Sequence, residues 1–119
     1  FDDRKEIIIY TGTHDNETIV GWFDHMNEED QKRTLDFFKS KGIKNKKINH
    51  SFISYCLSSI AELAIVPMWD ILGLDNNSRM NVPGTIGGSN WRWKMIDFDS
   101  FKKEKSFLKK LNEKTDRII

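Results

Sequence analysis

A single cysteine, Cys56, leaves this 119-residue sequence without an internal disulfide. No apolar run is long enough for a membrane-spanning helix, and no charged-then-apolar leader opens the chain. These absences set the expectation of a cytoplasmic chain that makes no membrane contact. Net charge is equally scarce. Nineteen Lys and Arg against eighteen Asp and Glu leave +1, too weak a field to favour nucleic acid or an anionic bilayer as partner. A neutral ligand suits that balance at least as well. His25 and His50 stand at no metal-ligand spacing with His14, and the glycine-rich stretch near Gly84 to Gly88 lacks the lysine and hydroxyl of a phosphate-binding loop. Neither a metal nor any other cofactor is expected. Asn16-Glu17-Thr18 and Asn76-Asn77-Ser78 match the glycosylation acceptor pattern, but such triplets are common by chance.

What the sequence does contain is strongly ordered along its length. Ile7, Ile8, Ile9 and Tyr10 form a continuous β-branched run, the pattern of a strand covered on both faces and hence of a parallel sheet. The polar stretch YTGTHDNET, Tyr10 to Thr18, follows at once, then a short apolar group at Ile19, Val20, Trp22 and Phe23. Asn27 with three acidic residues behind it predicts a helix start, and Gly42 predicts its end near Lys41. Asn49 reads as a second N-cap, with Ile53, Leu57, Ile60 and Ala64 forming an apolar stripe at helical spacing. Leu63 to Met68 reads as a second buried strand that Pro67 brings to a close. A long loop from Trp69 to Trp93 follows, with a short helical turn near Ile71, and Ser100 can cap a last helix carrying Phe101, Phe107, Leu108 and Leu111. The order describes two βα units of an α/β protein.

Two buried parallel strands need neighbours on either side, because each leaves backbone edges and apolar faces that two or three helices cannot cover. FDDRKE runs into the first strand without an initiator methionine. The expectation is a piece of a larger α/β protein, with self-assembly as the other solution. In a (β/α)8 barrel, functional groups sit where strands end and βα loops begin. His14, Asp15, Asn16, Asp70, Arg79, Asn81, Asn90 and the two tryptophans Trp91 and Trp93 would then face one mouth. Asp, Asn, His and Arg offer directional hydrogen bonds to hydroxyls, and Trp offers a flat face for a sugar ring. That set suits a carbohydrate. Plainer readings stand beside it: Asp15 as the cap of the next helix, His25 and His50 as solvated helix residues, one of the tryptophans as packing and Cys56 as a small buried hydrophobe.

YTGTHDNET with GWF just after it, then PMWDILGLDNNSRMNVPGT leading to NWRW, resembles the C-terminal part of the 4-α-glucanotransferases. These enzymes, the amylomaltases or disproportionating enzymes, form glycoside hydrolase family 77. The resemblance covers roughly Lys5 to Trp93 in several separate motifs and implies that residues 1–119 are an incomplete domain, about the last two βα units of a (β/α)8 barrel. It further implies transfer of α-1,4-glucan segments between maltooligosaccharides by a retaining mechanism. Asp15 would be the catalytic carboxylate that stabilises the transition state by gripping sugar hydroxyls, and His14, Asn81 and Asp70 would bind substrate. The nucleophile and the acid/base of the family lie in motifs before the THDN motif, so the rest of the barrel is an expected partner and the chain alone is expected to be inactive. Two positions depart from the family pattern: Trp69 stands where glutamine is expected, and Ser89 where glycine is usual. The alternative reading is a stand-alone carbohydrate-binding module without chemistry.

Overall fold

A parallel pair of strands, β1 (Lys5–Tyr10) and β2 (Ala61–Ile65), forms the centre of the computed structural model, which describes residues 5–117. Ile8 faces Leu63, Ile9 faces Ala64 and Tyr10 faces Ile65, with an irregularity between Lys5 and Ile8. Phe1 to Arg4 of the opening stretch lie outside the described residues. The connection between the strands runs through α1 (Ile19–Asp24), α2 (Glu28–Ser40) and α3 (Ile48–Leu57). Beyond β2 come α4 (Met68–Ile71), a 3-10 turn at Asn76–Ser78, α5 (Asp99–Lys102) and α6 (Lys105–Lys114).

Local chemistry explains most of these boundaries. Asn27 Oδ1 accepts the Asp30 N–H, and Glu28, Glu29 and Asp30 sit at the positive end of the α2 dipole. Gly42 takes a left-handed φ of 75° just past the helix end, as a C-terminal glycine does at least steric cost. Two expectations fail at α3. The helix starts one residue before Asn49, whose side chain turns inward and donates to the Asp70 carbonyl at 2.9 Å. It also stops at Leu57, leaving Ile60 exposed in the turn and Ala64 in β2, so the apolar stripe belonged to two elements. The second strand accordingly begins two residues earlier than its apolar run, and Pro67 precedes α4. Ser100 lies inside α5, and Asp97 Oδ1 accepts its N–H.

The core gathers on one side of the sheet. Ile53 and Leu57 of α3 meet Leu111 of α6, with Val66, Ile71 and Phe107 packed around them. Phe38 adds an aromatic group, edge-on to Phe52 at 4.9 Å, and Trp22 packs edge-on to Phe52 at 5.4 Å. Cys56 is buried as expected, and burial pushes its thiol up to about 11. His50 is a correction: it is no solvated helix residue but stacks on Phe107 at 3.8 Å, with Nε2 2.7 Å from Glu104 Oε2. Arg117 fastens the lower turn by donating to the carbonyls of Leu57, Ser59, Ala61 and Glu62. The strands themselves depart from the both-faces-covered reading. Ile7, Ile8, Leu63 and Ile65 are exposed, because two strands cannot shield one another's faces.

Candidate functional site

The loop that follows β1 is held at both of its feet by one buried carboxylate. Thr11 Oγ1 donates to Asp70 Oδ2 at 3.0 Å, and the Ile19 N–H donates to Asp70 Oδ1 at 2.9 Å. Between them Asn16 Oδ1 accepts the N–H and hydroxyl of Thr13, closing the tip into a tight turn. Thr18, not Asp15, caps α1, with its hydroxyl accepting the Gly21 N–H. The capping reading of Asp15 is thereby removed, and its carboxylate is available for something else.

A second loop holds Asp15 from the side. Asn81 Nδ2 donates to Asp15 Oδ1 at 2.7 Å, and Arg79 Nη2 donates to the Asp15 carbonyl at 2.7 Å. Arg79 Nε also bonds the Asn81 carbonyl at 3.0 Å, and the Asn81 N–H bonds the His14 carbonyl at 3.1 Å. His14 Nε2 lies 3.3 Å from Asp15 Oδ2, and both side chains stand about half exposed. A carboxylate fixed by one amide on one oxygen retains lone pairs on the other for hydroxyl donors. Beside it opens a cavity of about 560 Å³, lined by polar groups that include Thr13, Asp15 and Arg79 and by the aromatic rings of Tyr10, Trp22 and Phe52.

Of the residues expected to bind substrate, His14 and Asn81 are brought to Asp15, and Asp70 is not. Asp70 is 1% exposed, with both oxygens committed to Thr11 and Ile19, so the expected substrate contact is corrected to a supporting place beneath the loop. Burial pushes its carboxyl up from the ordinary range, and the bonds from Ile19 and Thr11 partly restore it. Asn90 turns into its own loop, accepting the Val82 N–H and donating to Thr85 Oγ1. The two tryptophans part company: Trp93 packs edge-on against Trp69 at 5.7 Å, whereas Trp91 projects with its ring centre 4.9 Å from that of His14. Trp69, where the family pattern expects glutamine, therefore serves packing. Ser89 keeps a negative φ while Gly87 and Gly88 take the left-handed turns, so serine costs nothing at its position.

Sequence reasoning missed Asn76. Its Oδ1 accepts the Thr18 N–H at 3.1 Å and its Nδ2 donates to Glu17 Oε1 at 2.8 Å, tying the end of the loop to the 3-10 turn. Glu17 also meets His25 Nδ1 at 2.8 Å, and these two partners hold its carboxyl below the usual range. A contact spanning 58 residues leaves no local pattern to read. Gly21 makes the approach possible, because a Cβ there would overlap the Asn76 amide. Gly21→Ala is expected to destabilise the protein by about 2 kcal/mol, read as a lowered denaturation midpoint at unchanged m-value. The double variant with Asn76→Ala should recover part of that loss.

Among the described residues no three His, Cys, Asp or Glu side chains could together hold a metal, and no helix is long and apolar enough to cross a membrane. Comparison with known proteins gives this geometry its context. The family model described as 4-alpha-glucanotransferase matches residues 2–99. The chain is 41% identical over 106 residues to the chloroplastic/amyloplastic 4-alpha-glucanotransferase of Solanum tuberosum, covering 89% of this chain and 18% of that protein. It is 47% identical over 87 residues to the 4-alpha-glucanotransferase of Synechocystis sp., covering 73% and 17%. The solved amylomaltase of Streptococcus agalactiae in complex with acarbose superposes with a TM-score of 0.82 at 31% identity, over 97% of this chain and 23% of that one. The chain thus spans about a fifth of the length of the relatives it matches, and the plastid location printed for the potato protein means that relatedness alone fixes no compartment. On sequence and structure alike, the chain belongs to the 4-alpha-glucanotransferase family.

Proposed function

We propose that this chain is the C-terminal part of a (β/α)8 barrel that transfers α-1,4-glucan segments between maltooligosaccharides with retention at the anomeric carbon. The observation that carries the reading is the Asp15 carboxylate, held at the end of β1 by Asn81 and Arg79 with His14 alongside. Asp15 grips hydroxyls of the sugar at the scissile bond, and its bonds strengthen as the ring flattens toward an oxocarbenium-like state. His14 and Asn81 complete the polar rim. Asp70 acts through the loop without touching sugar. The nucleophile and the acid/base, set about 5 Å apart in retaining enzymes, come from strands that precede β1. The exposed apolar faces of β1 and β2 supply the surface on which such strands would pack.

Maltotriose incubated with the protein expressed at its full natural length should give glucose together with a ladder of longer oligosaccharides, all with α linkages by NMR. The 119-residue chain alone should give neither. Transfer by the chain alone would place all three carboxylates within it and overturn the split site. Absence of transfer by the full-length protein would overturn the activity, and sugar binding without turnover would then favour a binding module.

A further inference from the structure

Trp91 is the one large side chain at this site whose conformation works against the backbone. Its φ is 62°, in the left-handed region that bulky residues rarely adopt, and the residue is 61% exposed. Neither burial nor helix capping offsets that strain. What holds it is a 2.6 Å bond from its N–H to the Met80 carbonyl, one residue before the Asn81 that orients Asp15. The ring lies beside His14 at a 39° tilt, and His14 reaches Asp15 at 3.3 Å. The neighbouring turn is built to keep it there, since Asn90 bonds Val82 and Thr85 across the loop. An exposed indole maintained at a backbone cost, one ring away from the carboxylate, points to a ligand contact.

Resting on the glucan-transfer reading above, we infer that Trp91 is a sugar-stacking platform, taking the apolar face of a glucose ring of the acceptor or donor chain adjacent to the residue gripped by Asp15. The face of a hexopyranose carries axial C–H groups that pack on an aromatic ring, while its equatorial hydroxyls stay free for groups such as His14 and Asn81. Trp93 cannot share this role, because its ring is engaged by Trp69.

The test uses the full-length protein with Trp91→Ala, Trp91→Gly and Trp91→Phe, assayed on maltooligosaccharide acceptors of increasing length. Ala and Gly should raise KM about tenfold for acceptors long enough to cover the platform, with kcat within about threefold, and Phe should restore most of the loss. Trp91→Gly also relieves the backbone, so its melting temperature should equal or exceed that of the wild type while its KM defect persists. A kcat loss equal for all acceptor lengths would mean that Trp91 acts only through His14, and would overturn the platform. So would unchanged KM values in all three variants. Failure of the wild type to transfer glucans at all would instead overturn the glucan-transfer reading, and the platform with it.

Discussion

Replacing Asp15 with alanine is expected to lower kcat for maltotriose disproportionation by the full-length protein on the order of 10³-fold. On the proposed reading, the carboxylate makes two charge-assisted bonds to sugar hydroxyls that tighten only as the ring distorts. At about 2 kcal/mol each, their loss removes roughly 4 kcal/mol of transition-state stabilisation, or about three powers of ten in rate. KM should move by much less, because the interaction is weak in the ground state. Asp15→Asn sharpens the test. The amide keeps the size of the side chain and can still meet Asn81, but it lacks the charge, so its kcat should fall nearly as far. A raised KM with kcat intact in both variants would reduce Asp15 to an ordinary binding residue.

Asp70→Ala is expected to destabilise the fold by about 3 kcal/mol, through a different physical route. The substitution orphans the Ile19 N–H, which is buried, and the Thr11 hydroxyl, and it leaves a cavity where the carboxylate stood. With both feet of the Thr11–Ile19 loop released, cleavage by a protease within His14 to Asn16 should speed up together with the loss of activity. Asp70→Asn should be far milder. Its carbonyl can accept from Ile19 and its amide can donate to Thr11, whose hydroxyl is free to reorient.

The pH dependence separates the two residues at position 70 further. Burial raises the Asp70 carboxyl in the folded state, so the native protein holds that proton more tightly than the unfolded chain does. Its titration therefore favours the fold below the unfolded value near 4, and that contribution is lost as pH rises through the folded value. The Asn variant lacks the step. On acidification the wild type gains stability that the variant does not, so their denaturation midpoints should diverge if Asp70→Asn is the less stable at neutral pH, and approach one another if it is the more stable. A difference that stays flat across the acid range would show that Asp70 titrates alike in both states.

The sequence told of this site what lies within single motifs and nothing of what joins them. Asn27 and Gly42 announce themselves through local propensity and stand where they were expected, and the two strands form a parallel pair as their apolar runs predicted, the second starting two residues early and neither covered on both faces. Asn49 and Asp70 misled for a shared reason. Asn is a favoured helix cap and Asp in a βα loop suggests a ligand, but here each side chain reaches a partner more than twenty residues away. The stripe Ile53, Leu57, Ile60, Ala64 failed because a helix face running directly into a strand can keep its spacing across the junction by accident. Trp91 and Trp93, equal in the sequence, were separated only by a backbone angle and by Trp69.

The register of the two strands carries a consequence in time. Lys5 pairs with Ala61, and their numbers differ by 56, so β1 cannot pair with β2 until the whole of α1 to α3 has been made. At about 5 to 20 residues per second of synthesis, that interval lasts roughly 3 to 11 s. The α2 and α3 helices, whose backbone hydrogen bonds are local, can form within microseconds of emerging. The edge of β1 that takes β2 stays open for that interval, beside the apolar Ile7-Ile8-Ile9 run, a segment on which a chaperone or an aggregating neighbour can act during translation.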